Sequence, residues 1–115
     1  MERELYFSDE FWDFYNRQQD RVKNKFDYVL GIIRTERLIT TKFVKHLENT
    51  DLYEMRVSVG SNEYRTVLFA INHENIILAT QILVLNAFLK KSEKDYKKQI
   101  EIAERILGGF TNETL

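Results

Sequence analysis

Apolar residues along the chain change their spacing several times, and each change marks an element. Residues 4–7 (ELYF) alternate, with Leu5 and Phe7 on one side, and predict a short strand. Ser8 and Asp9 are N-cap residues for a helix beginning just after them. Trp12, Tyr15, Val22, Phe26, Val29 and Ile33 then recur every three or four positions, with Gln19 interrupting the stripe. This predicts one long helix over about 9 to 32. Arg17, Asp20, Arg21, Lys23, Lys25 and Asp27 fall between the apolar positions and read as its solvated face. A shorter helix is expected at 40–48 (TTKFVKHLE), capped by Thr40 or Thr41 and apolar at Phe43, Val44 and Leu47.

The period then drops to two. Tyr53, Met55, Val57 and Val59 alternate with Glu54, Arg56 and Ser58, as in a half-buried strand. Gly60, Ser61 and Asn62 supply a turn, and 63–71 (EYRTVLFAI) reads as the partner strand. Asn72 to Asn75 make the next turn, and the apolar run 76–84 (IILATQILV) reads as a strand covered on both faces. A last helix is expected at about 94–107, with Ile100, Ala103, Ile106 and Leu107 inward and Gly108 and Gly109 ending it. The order β-α-α-β-β-β-α predicts a single α+β domain over 1–115. It has two N-terminal helices, one C-terminal helix and a small twisted antiparallel sheet of about four strands, with the helices on one face.

Bulk properties narrow the function. The chain has 115 residues and no cysteine, which excludes disulfide and thiolate chemistry. No run is long and apolar enough to span a bilayer, and the opening MERELYFSDE is too charged for a signal peptide, so a soluble cytoplasmic protein is expected. A net charge of -1 gives no overall pull toward nucleic acid. Charge is nonetheless segregated: residues 90–98 hold five lysines (Lys90, Lys91, Lys94, Lys97, Lys98) and two acids. Lysines at a helix entrance oppose its macrodipole. Either they are simply solvated or an anion belongs there.

No Gly-rich phosphate loop or dinucleotide fingerprint is present. His46 and His73 lie on different elements without metal-ligand spacing, and no metal or other cofactor is expected. What stands out is cationic residues on strands. Arg56 and Arg65 fall in adjacent strands, each between apolar neighbours. They are either solvated and paired with Glu54 and Glu63, or set on a functional face with their guanidinium forks available for phosphate. With Lys90 and Lys91 they would converge on one edge of the sheet, which suits a phosphodiester.

Three segments, LYEMRV (52–57), YRTVLFAI (64–71) and FLKKSEKDYKKQIEIA (88–103), resemble in order and spacing the RelE/ParE superfamily of bacterial toxins. The nearest likeness is to the HigB-like, phage-derived subgroup, whose members read L-[WY]-E-L-R-V, then Y-R-V-L-[FY], then F-x-K-K-S-x-K-T-P-x-x-E-I-x-x-A. The resemblance covers residues 43 to 103. It implies a RelE-like fold and a ribosome-dependent endoribonuclease that cuts mRNA, silenced by a cognate antitoxin, a small helix-turn-helix protein. Carried over by position, Arg56, Arg65, Lys90 and Lys91 are the implied catalytic residues, and Lys94, Lys97 and Lys98 an implied RNA-anchoring patch. Two features depart from the pattern. Asp95 and Tyr96 replace the usual Thr-Pro, and the tail GGFTNETL lacks the Tyr or His that members often place there. ParE-like members poison DNA gyrase instead, and a decayed, non-catalytic interaction module is the third alternative.

Overall fold

The computed structural model describes residues 2–114, with side chains through Phe110. The elements are β1 (Glu4–Phe7), α1 (Asp9–Asn16), α2 (Asp20–Thr35), β2 (Val44–His46), β3 (Leu52–Val59), β4 (Asn62–Ala70), β5 (Gln81–Leu89) and α3 (Glu93–Thr114). This is the expected α+β arrangement, with two helices before the meander and one after it. The sheet has five strands in the order β1-β5-β4-β3-β2. It is mixed, because β1 pairs parallel to β5 along one edge while every other pair is antiparallel.

The expected long helix is two helices. Gln19 takes an extended conformation (φ -71°, ψ 157°), and the N–H of Arg17 bonds back to Phe14 and Tyr15, which ends α1. The break falls where the apolar stripe was interrupted. Ser8 fixes α1 at its other end: its Oγ accepts from the Phe11 N–H at 3.0 Å and donates to the Leu85 carbonyl on β5.

No helix forms at 40–48. Thr40 closes one turn with Phe43 and Val44, and residues 44–46 then pair with β3 as an edge strand. Val44 is buried there opposite Met55, while Lys45 and His46 are exposed at the sheet edge. The third meander strand lies five residues later than expected, because Asn72 ties off a loop instead. Its Oδ1 accepts from the N–H groups of Thr80 and Gln81, and its Nδ2 donates to Thr80 Oγ1 at 2.6 Å. Ile76 and Ala79 are buried in that loop, so part of the apolar run is loop core rather than strand. Gly108 and Gly109 do not end α3, which continues through them to Thr114.

The helices occupy both faces of the sheet, not one. Phe11, Val22, Phe26, Val29 and Ile33 of α1 and α2 pack on Met55, Val57, Tyr64, Leu68, Ile82 and Val84. On the other face, Tyr96, Ile100, Ala103, Ile106 and Leu107 of α3 pack on Leu52, Val67, Leu83, Leu85 and Phe88. Full burial of each large apolar side chain stabilises the fold by about 1.5–3 kcal/mol. α3 lies mainly over β5 and beside β4. On β3 it covers Leu52 and, through Tyr96, Glu54, and it leaves the Arg56 side chain about a third exposed.

Arg3 ties the start of the chain to the end of α2 and to the loop before β5. It is 1% exposed, and its guanidinium donates to five backbone carbonyls: Ala79, Ile33, Glu36, Arg37 and Ile77, at 2.6 to 3.0 Å. Three of these lie at the C-terminal end of α2, where carbonyls lack helical partners and the dipole favours a cation. Burial lowers the Arg3 pKa from its usual value.

Candidate functional site

The antiparallel register sets Arg56 directly opposite Arg65. Both side chains project from the α3 face, because each stands at the alternate position to the inward Met55, Val57 and Tyr64. Glu54 lies two residues before Arg56 and so shares that face. Its carboxylate holds both guanidinium groups: Arg56 Nη2 is 3.4 Å from Oε1, and Arg65 Nε is 3.4 Å from Oε2. Glu63 adds a second contact to Arg65, 3.5 Å from Nη1, and Arg65 Nη1 also donates to the Tyr64 carbonyl at 3.0 Å.

The two arginines differ in access. The Arg65 side chain is 7% exposed and the Arg56 side chain 32%, while Glu54 is buried at 6%. Arg65 is therefore a fixed buried cation, and Arg56 is the member an incoming anion can reach. Neither Nε makes a hydrogen bond among the described residues.

α3 contributes Tyr96. Its hydroxyl donates to Glu54 Oε2 at 2.6 Å, and its ring meets Phe88 edge-on at 5.7 Å. Burial raises the Tyr96 pKa, and the hydrogen bond and negative charge of Glu54 raise it further; Arg65 and Arg56 oppose this only in part. The phenol therefore stays protonated throughout the physiological range. Ser92 starts α3 by accepting the Asp95 N–H at 3.1 Å, one residue before Tyr96.

The lysines divide. Lys90 Nζ sits 5.8 Å from the centroid of the Tyr96 ring, and its N–H bonds the Glu63 carbonyl at 2.8 Å, so it borders the arginine pair. Lys91 turns instead toward α1 and lines a separate cleft with Glu10, Asp13, Arg17 and Asp95. Lys94, Lys97 and Lys98 are exposed on α3, and none of the five lysines forms an ion pair with a described residue. The structure thus brings together Arg56, Arg65 and Lys90 and leaves Lys91 apart. Two carboxylates offset the two guanidiniums, so Lys90 supplies the surplus positive charge.

Glu54 stood out in the sequence only as a possible partner for the arginines, and its burial had no local signal. Tyr96 stands 42 positions away, and nothing in its neighbours announced the contact. The histidines make local bonds: the carbonyl of Thr50 accepts from His46 Nε2 at 2.8 Å, and His73 Nδ1 accepts the Asn75 N–H at 2.9 Å. No group of three ligating side chains placed to hold a metal occurs among the described residues.

A family model described as "Phage derived protein Gp49-like (DUF891)" matches residues 13–107. Among solved structures, a mutant of the Escherichia coli toxin RelE in the free state has a TM-score of 0.61 at 16% identity, covering 88% of this chain and 97% of that one. The E. coli RelBE toxin–antitoxin complex gives 0.56 at 14% identity, covering 78% and 99%. The isolated E. coli RelE toxin gives 0.53 at 14%, covering 86% and 96%. These likenesses show a RelE-like fold. No curated protein matches the chain.

Proposed function

The chain belongs to the Gp49-like family, and from that premise we propose that it is the toxin of a toxin–antitoxin pair, a HigB-like endoribonuclease that cuts mRNA on the ribosome. The observation that carries this reading is the cross-strand pair Arg56 and Arg65 beside Lys90, with the Arg56 side chain about a third exposed at the margin of α3. The fold it shares with RelE, a toxin and one half of a toxin–antitoxin complex, supports it.

In the proposed reaction the 2′-oxygen of a nucleotide attacks its own 3′-phosphorus and the P–O5′ bond breaks. A 2′,3′-cyclic phosphate and a free 5′-hydroxyl result. The 2′-hydroxyl gives up its proton and the leaving O5′ gains one. Negative charge builds on the nonbridging oxygens in between. Arg56 and Lys90 stabilise that charge from positions held before the substrate arrives, and losing one such donor costs about 100- to 1,000-fold. Arg65 and Glu54 act as positioning residues: the buried carboxylate sets the angle of both guanidiniums, and Tyr96 holds the carboxylate. Lys94, Lys97 and Lys98 contact RNA backbone without reading sequence, and Lys91 approaches it from the α1 side. The chemistry requires no cofactor. The protein works in the cytoplasm, where its ribosomal target is, and no helix among the described residues is long and apolar enough to cross a membrane. A small helix-turn-helix antitoxin is its partner, and covers the exposed side of Arg56.

The test is inducible expression with mapping of transcript 5′ ends. Growth arrest with new ends inside coding sequences supports the reading, and arrest without them counts against it. One observation favours a second reading, a non-catalytic interaction module: Arg65 is tied to two carboxylates. Absence of any toxicity without an antitoxin would favour that module.

A further inference from the structure

We infer that the elbow between α1 and α2 is a second phosphate-binding site, which takes a backbone phosphate of the RNA strand whose cleavage is proposed above; the inference rests on that reading. Arg17 caps α1 and Arg21 lies in the first turn of α2, so the break at Gln19 places two guanidiniums on one bend. Together with Gln18, Gln19, Asn62 and Tyr64 they line a cleft of about 390 Å³ whose wall includes no carboxylate. Acids do stand close by in sequence. Arg17 also borders the neighbouring cleft of Glu10, Asp13 and Asp95, but it forms an ion pair with none of them: its Nε donates to the Asp13 backbone carbonyl at 3.0 Å, and Asp20 pairs with neither arginine. In contrast to Arg65, both residues are exposed and neither is in an ion pair with a described residue.

Arg21 also reaches the β3–β4 turn: a Cβ on Gly60 would lie 2.8 Å from its Nη2, the movable end of an exposed side chain. The same glycine has φ +61°, a conformation that other residues rarely adopt. The turn that closes the hairpin thus has a guanidinium beside it, and a planar fork of N–H donors matches the oxygens of a phosphate.

The position relates the elbow to the arginine pair. Asn62 and Val59 face each other three residues beyond Arg65 and Arg56, which is about 10 Å along the strands. The cleft opens on the α1–α2 face and the pair on the α3 face. An RNA strand engages both by rounding the β3–β4 turn.

The test measures anisotropy of a fluorescein-labelled, 2′-O-methylated single-stranded RNA, which cannot be cut, on the full chain over a series of KCl concentrations. Each neutralised phosphate adds about 0.7 to the slope of log K against log salt. Arg17→Gln/Arg21→Gln is expected to make that slope shallower by about 0.7 and to weaken binding about tenfold near 0.1 M salt. Arg17→Lys/Arg21→Lys should recover most of the slope. Thermal melts confirm the fold of each variant. Lys23→Gln/Lys25→Gln removes equal charge from α2 outside the cleft and should change the slope by less than about 0.3. An unchanged slope in the arginine variant, equal losses in both double variants, or no binding by the unaltered chain would each overturn the inference. Cleavage on ribosomes is read separately. A protein that cuts mRNA yet shows no elbow effect loses only the elbow, and one that binds through the elbow yet never cuts loses only the nuclease reading.

Discussion

Glu54→Gln isolates the buried carboxylate on which the arginine pair depends. The substitution keeps shape and volume but removes the charge. Arg65, 7% exposed, then retains only Glu63 at 3.5 Å, itself 46% exposed, and one bond to the Tyr64 carbonyl. Removing one partner of a buried ion pair costs about 3–5 kcal/mol. Two features reduce that here. Glu63 persists, and Arg56, a third exposed, loses a contact that water screens. The glutamine carbonyl still accepts from Tyr96. The expected loss is about 2–3 kcal/mol, or roughly 8–15 °C in Tm for a chain of this size. Urea denaturation followed by circular dichroism measures it, with an unchanged m-value showing that the unfolded state is not responsible. The double variant Glu54→Gln/Arg65→Gln should lose less than the sum of the single losses, with a coupling of about 1–2 kcal/mol. A loss under about 0.5 kcal/mol, or additive single losses, would show that the carboxylate does not hold Arg65.

Arg3→Met should destabilise the fold by about 3–5 kcal/mol in the same assay, because five carbonyls lose a charged donor; retention of wild-type stability would refute its role as a clamp. Gly109→Ala should stabilise α3 by about 0.5–1 kcal/mol, since a Cβ there meets no atom within 4 Å; destabilisation would show that the helix does not continue through that residue. Tyr15 donates to Asp27 Oδ1 at 2.7 Å, and that bond, with burial and the charges of Asp27 and Asp20, raises its pKa to about 12. The stability this contributes is complete below the ordinary tyrosine value of about 10 and is lost as pH rises toward the folded-state value. Subtracting the ultraviolet titration of Tyr15→Phe from that of the unaltered chain should place the Tyr15 phenolate above about pH 11; a difference centred near about 10 would contradict the bond.

The sheet's central hairpin was legible because its faces differ in chemistry. Tyr53, Met55, Val57 and Val59 alternate with polar residues, which sets both the strand and the face, and the turn residues after Val59 then set the register. Besides the long helix that breaks at Gln19, three elements were misplaced for identifiable reasons. Phe43, Val44 and Leu47 have helical spacing, yet three residues gain more by extending the sheet than by forming a short helix of marginal stability. The run from Ile76 mixed buried loop with strand, and periodicity does not separate the two. Gly108 and Gly109 are usual helix terminators, but Ile106, Leu107 and Phe110 pack on the sheet and carry the helix through them. Of the site, Arg56, Arg65 and Lys90 came from spacing and the family likeness. Glu54 as a buried hub and Tyr96 as its donor depend on a contact between α3 and β3 that no local pattern encodes. Arg3 was equally silent, because its partners are backbone carbonyls and leave no signature in residue type.

The central claim is that Arg56, the accessible member of the cross-strand pair, stabilises charge on a phosphate during RNA cleavage. Its most direct test is single-turnover cleavage of an mRNA held on translating ribosomes, comparing the unaltered protein with Arg56→Ala. The expected result is cleavage by the former and a rate about 100- to 1,000-fold lower for the latter, with the fold intact and partial recovery in Arg56→Lys. Equal rates for the two proteins, or no cleavage by either, would contradict it.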